Sequence, residues 1–248
     1  MSTFKAYFKK EIIESIRQYK YLIIAIGLIF FAVSDPIMLK MLPSILKGQS
    51  NIDISSIMKI NGQTALQNYI KDLFQLGNII VVFTLSGILG KEVSEGKLIF
   101  PYTKGCSPVG MVLAKIIHYI IAVTIVTFLG SMVNFYYVNV LFNGNTVSFM
   151  GVVYSALCIS LFFDFNIILI AFFSSIFKKD IIAGIMVLFL SYFLLIFQSL
   201  KAVYAYLPSK LIDIANTFSL TGIEKPVITI LIASAILIYI TTKKMAAI

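Results

Sequence analysis

Six long stretches of this chain are almost continuously apolar, and the polar residues gather between them instead of alternating within them. The stretches are residues 21–39, 73–89, 116–138, 152–177, 181–197 and 227–240. Runs of about 18 apolar residues are long enough to cross a hydrocarbon layer roughly 30 Å thick. The last run reaches that length if it extends back towards Thr221, or if Lys243 lifts its charge to the interface while its stem stays in lipid. Only helices and closed barrels satisfy their backbone hydrogen bonds in lipid, and the period-two alternation of barrel strands is missing here. The pattern predicts an all-α, polytopic membrane protein of six helices in one domain, residues 1–248. Lys178, Lys179 and Asp180 alone separate the fourth and fifth runs, which makes them an antiparallel hairpin.

The segments between the runs predict four further features. Before the first, Phe4, Tyr7, Phe8, Ile12, Ile16 and Tyr19 fall near one helical face, with Lys5, Lys9, Lys10, Glu14 and Gln18 largely opposite, as in an amphipathic helix lying in the inner interface. Asp35 and Pro36 mark the outer end of the first span, with the carboxylate reaching water. Residues 40–68, with Pro43, Gly48 and Gly62, read as an irregular outer loop. Around Pro208, the mixed segment 199–220 reads as two short helices at the outer surface.

Composition agrees with a lipid environment: hydrophobic residues make up 59% of the chain, charged residues 12%, and the mean hydropathy is +0.96. The net charge of +9 is distributed as a topology signal. With the N-terminus inside, 13 of the 20 Lys and Arg residues fall in inner segments, so both termini are expected in the cytoplasm and the charge is not read as a nucleic-acid surface. The first run is longer than the apolar core of a secretory signal and ends in "SDPIML", so it is expected to stay attached. Cys106 and Cys158 lie on different sides of the expected boundary and read as free thiols.

Reagents are scarce. There is no phosphate-cradling loop, no nucleophile elbow and a single histidine, His118, so no catalytic residue, metal site or cofactor is assigned to this chain. The sharpest anomaly is Asp164 in "FFDFN", near the middle of the fourth span, where an ionised carboxylate costs on the order of 3 kcal/mol or more. It is either a coupling or substrate-contacting group facing a cavity or a protonated, paired residue between helices. Gln75 and Asn78 in the second span pose the same choice, with interhelical hydrogen bonding as the ordinary role.

The loop between the second and third spans, "GKEVSEGKLIFPYTKGCSPVGMVLAK", resembles the corresponding loop of type-2 ATP-binding-cassette (ABC) exporter permeases. Glu92 and Glu95 match its acidic places, Gly96 its glycine, Leu98 its leucine, Ser107 its turn serine and Lys115 its closing lysine. Lys97 stands where threonine is usual and Gly105 where proline is usual. The opening "FKKEIIESIRQYKY" and the turn "AFFSSIFKKDIIAG" are similar to the family's leader and its fourth-to-fifth-span turn.

The resemblance implies a cell-membrane permease that pairs with a second, identical or homologous permease and with two ATPase subunits, which hold the ATP and Mg. It also implies a short coupling helix carrying Glu92, Glu95, Gly96, Lys97 and Leu98 against the ATPase, and a pathway lined by the second and fifth spans and capped by short outer helices; Gln75, Asn78 and Asp164 are the candidate pathway residues. A hydrophobic or amphipathic cargo, such as an antimicrobial peptide or drug, suits a pathway with few fixed charges. Two other classes compete: an ion-coupled secondary transporter built on Asp164, and a non-transporting membrane immunity protein.

Overall fold

The computed structural model describes residues 2–47, 61–143, 147–177 and 179–247. The described residues are helical throughout, without a strand, and six helical runs are long and apolar enough to cross a membrane: Lys20–Ser44, Gly62–Ser94, Pro108–Leu141, Phe149–Ile176, Asp180–Ser199 and Glu224–Ala246.

Helix α1 (Thr3–Arg17) precedes the first span and is separated from α2 (Lys20–Lys47) by Tyr19, whose left-handed φ of 56° breaks the helix. The face that α1 packs against the protein is centred on Tyr7, Glu11 and Ser15, whereas Ile12, Ile13, Ile16 and Tyr19 are exposed. The amphipathic helix is therefore present, but its buried stripe is partly polar because Glu11 has a partner inside.

Two boundaries differ from expectation. Asp35 and Pro36 do not end the first span, because α2 runs through both Pro36 and Pro43, and Asp35 is buried instead of reaching water. Membrane helices tolerate proline where neighbouring groups satisfy the freed backbone. The described parts of the expected outer loop 40–68 are also helical apart from Asn61. Its first residues continue α2, and α3 (Gly62–Asp72) begins at Asn61, whose side chain accepts a hydrogen bond from the Thr64 amide at 2.8 Å. Residues 48–60 lie outside the described residues. Helix α3 runs through a π-helical turn, Leu73–Gly77, into α4 (Asn78–Leu85), so the second span is longer than its apolar core.

After α4 come two one-turn helices, α5 (Gly90–Ser94) and α6 (Ile99–Thr103), then α7 (Pro108–Leu141) and α8 (Phe149–Ile176). Helix α8 is the hub, packed by α4, α5, α7 and α9 (Asp180–Phe193), and it is the most buried of the six spans. A 3₁₀ turn, Leu194–Ser199, completes the fifth span. Short helices α10 (Lys201–Tyr204) and α11 (Lys210–Asn216) follow on either side of Pro208, before α12 (Glu224–Ala246).

Helix α11 folds back onto the bundle. Ser155 donates to the Ala215 carbonyl at 2.5 Å and Gln67 to that of Asn216 at 3.1 Å. At the opposite end, α1, the 90–108 segment and the last turn of α12 come together, so both terminal helices sit on the loop's side of the bundle.

Candidate functional site

The loop between the second and third spans is fastened to four other elements. Its start is held by α8: the Gly90 amide donates to Ser174 Oγ at 2.7 Å and the Leu89 amide at 3.2 Å. Contact here is so close that a Cβ on Gly90 would lie 2.8 Å from the carbonyl oxygens of Phe177 and Ser174. Gly90→Val is expected to lose roughly 1–3 kcal/mol through this backbone clash. A thermal midpoint several degrees below that of the unmodified protein, followed by circular dichroism, checks it.

Glu92 is the second anchor. It was expected to face an ATPase, but it is only 5% exposed and points into the protein, because two lysines from other elements meet it there. Lys10 of α1 pairs with one of its oxygens, and Lys115 of α7 sits 3.2 Å from the other. Lys115 also reaches Glu11 of α1 at 2.6 Å, and Tyr119 donates to Glu11 at 3.1 Å. The network continues through Ser15, which donates to Tyr119 at 3.2 Å, and His118, whose Nε2 lies 2.9 Å from the Tyr21 hydroxyl. Three elements distant in sequence are thus tied by charges of which Glu11, Glu92 and Lys115 are buried, so that removing one leaves another uncompensated.

The electrostatics favour the charged state at the rim of this network. Burial opposes the Lys10 charge, but Glu92 above all, with Glu11 and Glu14, more than offsets it and holds the ammonium above its ordinary pKa. Burial likewise opposes ionisation of Glu14, yet Lys10, Lys115 and Lys20 draw its carboxyl below its usual range. The Glu14 contribution is therefore present above its unfolded pKa and is lost as pH falls through the lower folded value. Oxygens of Glu11, Glu14 and Glu92 lie within 4.8 Å of one another, as metal ligands do, but Lys10 and Lys115 already supply the positive charge.

The third and fourth fastenings are at the loop's far end. Tyr102 donates to the Met245 carbonyl of α12 at 2.9 Å, and the Ser107 amide to Thr3 Oγ1 of α1 at 3.2 Å. Burial, aided by Cys106 and Glu92, pushes the Tyr102 phenol up to about 12, so it remains a donor at physiological pH.

Between its anchors the loop turns its tip outward. Instead of one coupling helix there are two short ones, because Gly96, at φ +66°, reverses the chain after α5. Leu98 is buried beneath the tip, while Glu95 and Lys97 form an exposed ion pair. Ile99 and Phe100, each 70% exposed, crown it beside Lys104, whose ammonium lies 5.6 Å from the Phe100 ring.

The expected pathway residues are not brought together. Gln75 is exposed within the π-helical turn, and its carbonyl accepts from the Tyr192 hydroxyl at 2.8 Å. Asn78 is buried in a chain in which Asn166 donates to it and Ser191 donates to Asn166, both at 3.0 Å; this is interhelical hydrogen bonding between the second, fourth and fifth spans. Asp164 faces α7, where Thr124 donates to it at 3.3 Å.

Sequence reading missed Glu11 altogether, although its spacing of four from Tyr7 and Ser15 makes one helical stripe. It also missed Ile99 and Phe100 as an exposed pair. Comparison of the chain with protein-family models, with curated proteins and with solved structures returned no match.

Proposed function

We propose that this chain is the permease subunit of an ATP-driven exporter of the type-2 ABC class. It would lie in the cell membrane with both termini cytoplasmic and move a hydrophobic or amphipathic substrate outward. Two separate ATPase subunits supply ATP and Mg, and a second permease chain, identical or homologous, completes the pathway.

One observation carries this reading: the Ile99–Phe100 tip is apolar and exposed, yet its loop is bound to α1, α7, α8 and α12. A loop that served only to join two spans would need neither feature. A rigid, multiply anchored tip transmits displacement from a bound partner to several spans at once. Glu95, Lys97, Ile99 and Phe100 form the contact surface in this reading, with Glu92 and Leu98 as the roots that stiffen it and Gly96 as the bend.

The test is affinity purification of the tagged full chain from its native membrane, followed by measurement of Mg-dependent ATP hydrolysis in the purified material. Phe100→Asp, on a surface that carries no internal packing, is expected to leave expression and thermal stability unchanged and to lower co-purifying ATPase activity at least tenfold. Activity unchanged in Phe100→Asp, or absent from the unmodified preparation, rejects the proposal.

A further inference from the structure

At the end of the bundle opposite this loop, carboxyl groups from two helices face one cavity. Asp35 of α2 and Asp72 at the end of α3 are both part of its lining. Asp35 is only 9% exposed; its Oδ1 accepts a long hydrogen bond from Ser34, 3.4 Å, and its Oδ2 has no donor. Among the described residues neither carboxyl forms an ion pair. Lys40 is turned away over the Phe142 ring, at 5.5 Å, and Tyr69 faces Asp35 from α3, its hydroxyl directed at the Leu28 carbonyl. Helix α7 brings the neutral Ser131 and Asn134 to this side.

The pair opens into a cavity of about 380 Å³ lined on its polar side by Asn68 and Lys71 and on its apolar side by Met38 and Met41. That volume lies in the range of small-molecule sites, and flexible thioethers adapt to apolar chains of varied shape. Two carboxyls that line one cavity repel each other when both are ionised, and a cation held between them relieves that repulsion as a shared proton would. Among the described residues the lining carries two carboxyls, Asp35 and Asp72, and one ammonium, Lys71.

We propose that this cavity binds a cationic amphiphile, with its ammonium-like head on Asp35 and Asp72 and its apolar chain along Met38 and Met41. The inference rests on the exporter reading and narrows its cargo to amphipathic cations.

The test uses the purified full chain in lipid nanodiscs, with radiolabelled dodecyltrimethylammonium as probe and dodecanol as the uncharged control. Saturable binding of the cation is expected. Asp35→Asn with Asp72→Asn should weaken it about tenfold or more, as loss of charge-assisted contacts does. Lys71→Gln, which removes the competing positive charge and breaks no packing, should strengthen it; this variant guards against misfolding of the double mutant. Equal saturable binding of the alcohol, an unchanged affinity in the double variant with no gain in Lys71→Gln, or a titrating carboxylic-acid infrared band with no saturable cation binding would each overturn the proposal. The last outcome assigns the pair to a shared proton. Because the assay contains no ATPase, its failure leaves the co-purification result standing, and the reverse also holds.

Discussion

Replacement of Lys115 by methionine is expected to be among the most destabilising single changes in this protein. Lys115 is 2% exposed and lies 2.6 Å from Glu11 and 3.2 Å from Glu92, so its removal leaves two buried carboxylates to share what Lys10 supplies. Breaking a buried pair from one side costs about 3–5 kcal/mol, most of it the desolvation of the charge left behind. For a chain of this length that corresponds to a fall of on the order of 10 °C in thermal midpoint. The chain has no tryptophan, so circular dichroism is the natural probe. The double variant Lys115→Met with Glu11→Gln removes charges of both signs and should lose less than the sum of the two single changes, which a double-mutant cycle measures directly. Strict additivity would mean that the pair does not interact in the folded protein.

The second large effect separates two residues that look equivalent in sequence. Glu92→Lys places a third positive charge between Lys10 and Lys115 in a largely buried site, and is expected to abolish accumulation of folded protein in the membrane. Glu95→Lys alters an exposed carboxylate that, among the described residues, pairs only with the neighbouring, solvated Lys97, so folded yield and thermal midpoint should stay at the unmodified values. Because Lys97 draws the Glu95 carboxyl below its usual range, the reversal should be silent for stability across neutral pH while lowering co-purified ATPase activity. Equal folded yields for the two reversals would contradict the inward placement of Glu92.

The contrast between Glu92 and Glu95 also marks what could be read from the sequence. Local information located the spans, the hairpin around Asp180, the two short helices flanking Pro208 and the position of the loop, because apolar run length and Gly and Pro placement act over a few residues. It did not separate Glu92 from Glu95, because what buries Glu92 is Lys10, 82 residues earlier, and Lys115 on a third element. Glu11 escaped notice for the same reason: its partner lies 104 residues away.

Residues 62–68 read as loop because Gln63, Gln67 and Asn68 dilute their hydropathy. The helical spacing of Ala65, Leu66, Tyr69, Ile70 and Leu73, all buried, carried the correct signal. Asp35 was placed in water by the adjacent proline, a rule that holds for soluble helices and fails where a bundle surrounds the break.

In the proposed exporter the Ile99–Phe100 tip is gripped by a nucleotide-hydrolysing partner. A photo-crosslinking amino acid at position 100 of the otherwise unmodified chain, irradiated in the native membrane, tests it most directly. One adduct is expected, formed with a polypeptide that is itself labelled by 8-azido-ATP, and no such adduct from the same crosslinker at position 136 on the exposed face of α7. Crosslinking at position 100 only to lipid, or only to polypeptides that bind no nucleotide, would contradict it.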